Sequence, residues 1–239
     1  MTAPVRSLTA GIIAAGLGER LRRAGILTPT PLIEVGGKTL LARAIEAAAA
    51  AGASEIALIV NAEYPELERA VRGATWPVPI RLTVRTTPSS MESFFALAPA
   101  LGDAPFLLLT VDAIYPERSL AELSEAGFAA GPVGTLAITR FIDDEKPLHV
   151  AIDEHAHITA LGPSAAGSGW ITSGLYFFHP EVFRYVTEAR RRRLGALREF
   201  LALLLEEGCR LHGYAVEKSV DVDRPEDVAA AERFLKELR

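Results

Sequence analysis

The chain has 239 residues, 49% of them hydrophobic and 23% charged, which is enough for a full core in one large domain or in one domain with a small subdomain. Its net charge of −5, from 25 basic and 30 acidic residues, argues against generic binding to nucleic acid or to an anionic membrane. The one cysteine, Cys209, excludes an intramolecular disulfide and a thiolate zinc cluster, and no apolar run approaches the ~18 residues of a membrane span.

The first apolar stretch, SLTAGIIA (7–14), reads as a buried strand. It is short and runs directly into a glycine turn and Arg20, so it does not read as a secretory leader, and a soluble cytoplasmic protein is expected. TLLARAIEAAAAA (39–51) is built of helix formers and Gly52 is a natural stop. EIALIV (55–60) is a strand, a helix follows from Pro65 to Arg72, and IRLTVR (80–85) is a third strand. SMESFFALAPAL (90–101) is helical, and APFLLLTVD (104–112) is another buried strand, ending in an aspartate. A helix near 116–126 and the strand VGTLAITR (133–140) come next. This alternation of helices with almost continuously apolar strands predicts a parallel sheet covered on both faces.

The rhythm then changes. LHVAIDEHAHITAL (148–161) alternates apolar and polar residues around a polar centre and reads as a β-hairpin. WITSGLYFFH (170–179) is a strand, two helices lie around 181–207, and RLHGYAVE (210–217) is a strand. A terminal helix starts near Pro225, with Asp223 placed to cap it. The expected fold class is α/β: a Rossmann-like three-layer α/β/α sandwich with a mostly parallel sheet and a small β-hairpin insertion, without internal repeats or a long linker.

The turn AAGLGER (14–20) invites two phosphate motifs, and both fail at a defined residue. G-x-G-x-x-G is met at Gly16 and Gly18 but has Leu21 in third place, which also disfavours a Rossmann dehydrogenase. The P-loop ending Gly37-Lys38-Thr39 has Leu32 where its first glycine belongs. What remains still suits a polyanion. Ala14, Ala15, Gly16 and Gly18 have almost no side chain, so backbone N–H groups can line a nest around anionic oxygens. Arg20 adds a permanent forked charge for phosphate oxygens. The plainer alternative is a tight strand-to-helix turn with a surface arginine.

LTAGIIAAGLGERL, followed by PTPLIEVGGKTLL, resembles the signature of the nucleotidyltransferase superfamily. That superfamily includes sugar-1-phosphate nucleotidyltransferases, cytidylyltransferases for small phosphorylated alcohols, and molybdenum-cofactor nucleotidyltransferases. Further along, LLLTVDAIY resembles the strand that ends in a metal-binding aspartate, TSGLYFFHP the acceptor-side strand, and VDVDRPEDVAAAERFL the C-terminal segment with a second metal ligand. These landmarks stand in order over nearly the whole chain. The resemblance implies a single nucleotidyltransferase domain over 1–239, with a nucleotide-binding half to about residue 115 and an acceptor-side half from about 116.

It also implies a reaction. A substrate phosphate attacks the α-phosphorus of an NTP and pyrophosphate leaves, with Mg²⁺ as the cation. The implied partners are an NTP and a phosphorylated small molecule (a sugar-1-phosphate or phospho-alcohol), with no nucleic acid or membrane; the base, the acceptor and homo-oligomerisation stay open. Asp112 is implied as the first metal ligand and Asp223 as the second, with Asp221 a partner that would point the same way on an extended strand. The plainer readings are a strand-end carboxylate for Asp112 and a helix cap for Asp223; Asp227 reads as an ordinary first-turn acid. Ser89 and Ser90, with Ser93, lie where the family contacts base or ribose, or they cap the helix that follows. Thr172, Ser173 and Gly174 face the acceptor, or form a polar step in a strand.

The sequence departs from the family at Thr30. Between Pro29 and Pro31 the family usually holds a lysine that contacts phosphate; a hydroxyl offers one hydrogen bond and no charge. Lys38, ahead of Arg22 and Arg23, is the first candidate to supply the missing charge, and Arg20, Lys38, Asp112 and Asp223 form the expected catalytic set. The departure also opens a second reading, a catalytically silent nucleotide-binding or regulatory domain. Of the remaining features, His155 and His157 read as solvated in a hairpin turn. Arg190–Arg193 reads as a solvated basic patch at a helix end, or as a cradle for an anionic acceptor.

Overall fold

The computed structural model describes residues 8–131, 133–141 and 147–238; Ser7, the first residue of the expected N-terminal strand, lies outside them. The first half contains β1 (Thr9–Ala14), α1 (Glu19–Arg23), β2 (Glu34–Val35), β3 (Lys38–Thr39), α2 (Leu40–Ala50) and β4 (Glu55–Val60). It continues with α3 (Pro65–Gly73), β5 (Ile80–Val84), α4 (Ser90–Leu101), β6 (Phe106–Thr110) and β7 (Ala113–Ile114). The second half contains α5 (Arg118–Ala130), β8 (Gly134–Thr139), β9 (Val150–Ile152), β10 (Ile158–Leu161) and β11 (Ile171–Phe178). It ends with α6 (Val186–Arg191), α7 (Leu197–Glu206), β12 (Leu211–Ala215), β13 (Val220–Asp221) and α8 (Pro225–Glu237).

Seven strands form one sheet in the order β12-β8-β11-β6-β1-β4-β5. All neighbours are parallel except β11, which runs antiparallel to both β6 and β8. Alternation along each strand sends side chains to two cores. From β1, Ile12 and Ala14 enter one core with α2, α3, α5 and α8; Ile13 enters the other with α4, α6, α7 and the hairpin β9–β10. β6 divides the same way, Leu107 and Leu109 against Phe106 and Leu108. The architecture is therefore the expected three-layer α/β/α sandwich with a mostly parallel sheet and a small hairpin. No helix among the described residues is long and apolar enough to cross a membrane.

Two short elements escape the periodicity of the sequence. α1, ERLRR, has five residues and only Leu21 buried, too few for a 3.6-residue pattern. The pair β2–β3 is a hairpin turned by Gly36 and Gly37, both with positive φ (58° and 76°), the conformation that two-residue hairpin turns require. Pro65 opens α3 as expected, while Thr39, read from the sequence as the first residue of its helix, instead caps α2, its hydroxyl accepting from the Ala42 N–H at 3.2 Å.

One packing contact sets a sharp limit. Gly127 of α5 lies against the ring of Phe177 in β11, and a Cβ there would fall 2.8 Å from Cε1 and closer still to Cδ1 and Cγ. Phe177 is fully buried in the central sheet and cannot retreat. Gly127→Ala would gain up to ~1 kcal/mol of helix propensity, but overpacking costs ~1–3 kcal/mol or more where the neighbour is fixed. A net loss of stability of about 1–2 kcal/mol is expected in urea unfolding; a stabilised variant would mean that Phe177 adapts.

Candidate active site

The sheet order reverses beside β1. From β1 the chain moves outward to β4 and β5, then returns to place β6 on the other side. Open α/β sheets bind ligands at the carboxyl ends of the strands flanking such a reversal. Here those ends are the loop after Ala14 and the segment Thr110–Asp112, and a cavity of about 530 Å³ opens between them. That volume lies in the ordinary range for small-molecule sites, ~300–1,000 Å³.

Five parts of the chain build it. The floor is the Ala14–Gly18 loop, which passes into Arg20 at the start of α1. Gly18 sits in the left-handed region (φ 60°, ψ 37°), and a Cβ there would meet the Thr30 Oγ at 2.6 Å, so the loop and Thr30 approach as only glycine allows. Ser89 and Ser90 line the cavity from the start of α4. The Ser89 Oγ accepts from the Glu92 N–H at 3.2 Å, the predicted cap, and the Ser90 Oγ accepts from the Leu197 N–H at 3.2 Å. Asp112 follows β6, and Asp223 precedes α8.

Asp112 and Asp223 meet through a short ladder. β13 runs antiparallel to β7, pairing Val220 with Ile114 and Asp221 with Ala113, and the Val222 N–H donates to the Asp112 carbonyl at 3.0 Å. Asp223 does not cap α8. That duty falls to Asp227, whose Oδ2 accepts from the N–H groups of Asp223 (2.9 Å) and Arg224 (2.7 Å). The Asp223 carboxylate instead pairs with the guanidinium of Arg20, 203 residues away in sequence.

Residues 10–169 match the MobA-like NTP transferase domain. The chain belongs to that family. It is 27% identical over 229 residues to the mannose-1-phosphate guanyltransferase of Emericella nidulans, and 28% identical over 229 residues to that of Saccharomyces cerevisiae. These alignments take in 90% of the chain but only 61% of either relative's length. Two solved structures share the fold. The inositol-1-phosphate CTP transferase from T. maritima superposes with a TM-score of 0.79 at 18% identity, over 96% of this chain and 95% of that one. A UDP-glucose pyrophosphorylase complexed with UDP-glucose gives 0.80 at 17% identity, over 98% of this chain and 100% of that one. This MobA-like domain is thus a distant homologue of sugar-phosphate nucleotidyltransferases.

The structure of this MobA-like domain brings Ala14, Ala15, Gly16, Gly18, Arg20, Thr30, Ser89, Ser90, Asp112 and Asp223 to one cavity. Other expected residues lie apart from its lining. Lys38, on β3 of the hairpin, is ion-paired to Glu46 of α2 and does not line the cavity beside Thr30. Asp221, the last residue of β13, is not among the residues lining the cavity, whereas Asp223 is. Thr172, Ser173 and Gly174 are not among the lining residues. Ser173 is buried and donates to the Ala137 carbonyl at 3.3 Å, while a Cβ on Gly174 (φ 75°) would lie 2.7 Å from the Oγ of Thr110, which does line the cavity. Thr172 lies where the β11–β8 register shifts.

Ser93, named from the sequence beside Ser89 and Ser90, also lines the cavity, as do Thr87 and Thr110, which sequence reasoning passed over. Thr110 was legible by the strand-end logic that picked out Asp112; Thr87 carries no local signal beyond its place in a serine-rich loop. Arg23, weighed as a replacement charge, lines the cavity but is bonded to Glu19 at 2.8 Å. His157 bonds Asp153 at 3.1 Å, and no cluster of metal-ligand type occurs among the described residues.

The basic run is ion-paired rather than simply solvated. Arg191 bonds Glu188, and Arg192 bonds Glu188, Glu206 and Glu207. Arg190 makes a two-pronged bond to Glu92 of α4 at 2.9 and 2.8 Å. That bond ties the helix carrying Ser89 and Ser90 to α6, and the hydrogen bond with Arg190 holds the Glu92 carboxyl below its ordinary value of 4.5. A depressed carboxyl pKa adds stability above about pH 4.5 and loses it as pH falls through the lowered value. Glu92→Gln is therefore expected to cost about 0.5–1 kcal/mol near neutral pH and to approach wild type well below about pH 4. Urea midpoints at both pH values check this, and an equal difference at both would rule the ion pair out as its source.

Proposed function

We propose that this protein is a Mg²⁺-dependent nucleotidyltransferase, joining an NTP to a phosphorylated small molecule with release of pyrophosphate. The observation that carries the reading is convergence: the small-residue loop, Arg20, Asp112 and Asp223 reach one cavity at the switch point of the sheet. A phosphate oxygen of the acceptor forms a bond to the α-phosphorus, and the bond to the β-phosphate oxygen breaks. Both reactants are anions, so the protein's work is to position them and offset their charge.

In this reading the Gly16 and Gly18 backbone receives the triphosphate and Arg20 clamps it. Asp112 and Asp223 fit a magnesium ion, which favours one or two carboxylates completed by phosphate oxygens and water. Bound there, the ion would neutralise charge building at the α-phosphate and the leaving group. Arg20 and Asp223 pair with each other, so triphosphate and metal would each compete with that ion pair. In the same reading Ser89 and Ser90, which line the cavity, would contact base or ribose. Sugar-1-phosphates are the first acceptors to try and GTP the first nucleotide, because the aligned relatives are mannose-1-phosphate guanyltransferases.

Thr30 favours a second reading, a nucleotide-binding domain without turnover. The lining residues include two arginines against three carboxylates, and no lysine is among them. Four NTPs screened against sugar-1-phosphates and phospho-alcohols, with and without magnesium, separate the two. Pyrophosphate release that needs both acceptor and metal supports transfer; calorimetric NTP binding without release supports the silent domain, and neither response would sink both.

A further inference from the structure

A glycine-rich loop has no side chains with which to hold its own shape, so its order must come from neighbours. Two side chains just past β4 supply it, neither of them lining the cavity. Asn61 is 1% exposed, and both the nitrogen and the oxygen of its amide are bonded. Its Nδ2 donates to the Ala15 carbonyl at 3.1 Å, while its Oδ1 accepts from the Glu63 N–H at 2.9 Å and from the Thr86 hydroxyl at 2.7 Å. Tyr64 donates its hydroxyl to the Leu17 carbonyl at 3.2 Å and accepts from the Arg22 guanidinium at 3.1 Å.

The two carbonyls held are alternate ones. Across a trans peptide, the N–H after a carbonyl points the opposite way, and no described peptide here is cis. Drawing the Ala15 and Leu17 carbonyls back toward β4 therefore turns the Gly16 and Gly18 N–H groups away from it. Gly16 and Gly18 both line the cavity. The Asn61–Thr86 bond extends the hold to the segment that leads into Thr87 and Ser89 on another wall.

From this arrangement we infer that Asn61 and Tyr64 are positioning residues that preset the loop for a polyphosphate, with Asn61 also linking the loop to the wall beginning at Thr87. This deepens the nucleotidyltransferase reading and rests on it for the ligand, though not for the geometry. Only an amide meets the demand at residue 61: a donor toward Ala15 and an acceptor toward Glu63 and Thr86. In Asn61→Asp the carboxylate keeps both acceptor bonds and sets an oxygen against the Ala15 carbonyl.

The test begins on the ligand-free protein. The ¹⁵N order parameters of Gly16–Gly18 are expected to fall from rigid-backbone values of ~0.85 to below ~0.6 in Asn61→Asp, less far in Tyr64→Phe, and not at all in Glu68→Gln, a control on the outer part of α3. Binding of inorganic triphosphate, which probes the loop without base contacts, should weaken about 10–100-fold in Asn61→Asp. It should recover on acidification, because a protonated carboxyl donates to Ala15 where a carboxylate cannot; a merely structural defect would not recover. Tyr64→Phe removes one oxygen from a side chain at the surface, so it keeps the inference testable if Asn61→Asp folds poorly. Unchanged order parameters in both variants would overturn the positioning role. Lowered order in a protein whose wild type binds no triphosphate would uphold the geometry and sink the reading of the ligand.

Discussion

Asp112→Asn is expected to lower nucleotidyl transfer by on the order of 10³-fold, with the fold unchanged. The substitution keeps size and shape. It also keeps the backbone carbonyl that accepts from the Val222 N–H, so the ladder holding the two aspartates together survives. What it removes is half of the negative charge that the paired aspartates offer a cation, at the strand end where the α-phosphate would lie. Hard dications favour charged oxygen, and a neutral amide is a poor exchange. The measurement is pyrophosphate release under saturating nucleotide across a magnesium series, beside urea unfolding. A midpoint within about 0.5 kcal/mol of wild type, together with full activity, would remove Asp112 from any role in the chemistry.

Arg20→Ala is expected to act in two directions at once. Loss of the forked charge should cost on the order of 10²–10³-fold in kcat/KM if Arg20 aids the transition state. Arg20→Lys should fall between, since lysine keeps the charge but not the planar fork. Binding of the metal alone should move the other way, because Arg20 engages Asp223. Their side chains are 41% and 42% exposed, so the pair is worth at most about 1 kcal/mol. The gain in Mn²⁺ affinity without nucleotide should thus be no more than about fivefold. Weaker Mn²⁺ binding in Arg20→Ala would mean that Asp223 is not held back by the ion pair.

Much of the fold was legible because its causes are local. The strand at Glu55–Val60 and the helix at Ser90–Leu101 appear where their apolar runs and serine cap place them. Short elements were less so: α1 gains its helical turn from Gly18 and from packing of Leu21, and β7 and β13 exist only because each pairs with the other. The cap of α8 shows the limit. Asp223 and Asp227 both suit an N-terminal cap by composition, and the choice between them is made by the partner that each finds in space.

Hydrophobic period, glycine spacing and the carboxylate closing an apolar strand therefore sufficed for the layers of the sandwich, the small-residue loop and the candidacy of Asp112, since each depends on neighbours within a few residues. Which polar groups share the cavity was decided by tertiary structure alone. The β7–β13 ladder brings Asp223 to Asp112, the Gly36–Gly37 turn carries Lys38 off to Glu46, and Asp221, paired within β13, is absent from the cavity lining. A side chain's surroundings depend on strand register and on contacts between segments more than a hundred residues apart, and nothing in its immediate sequence encodes them.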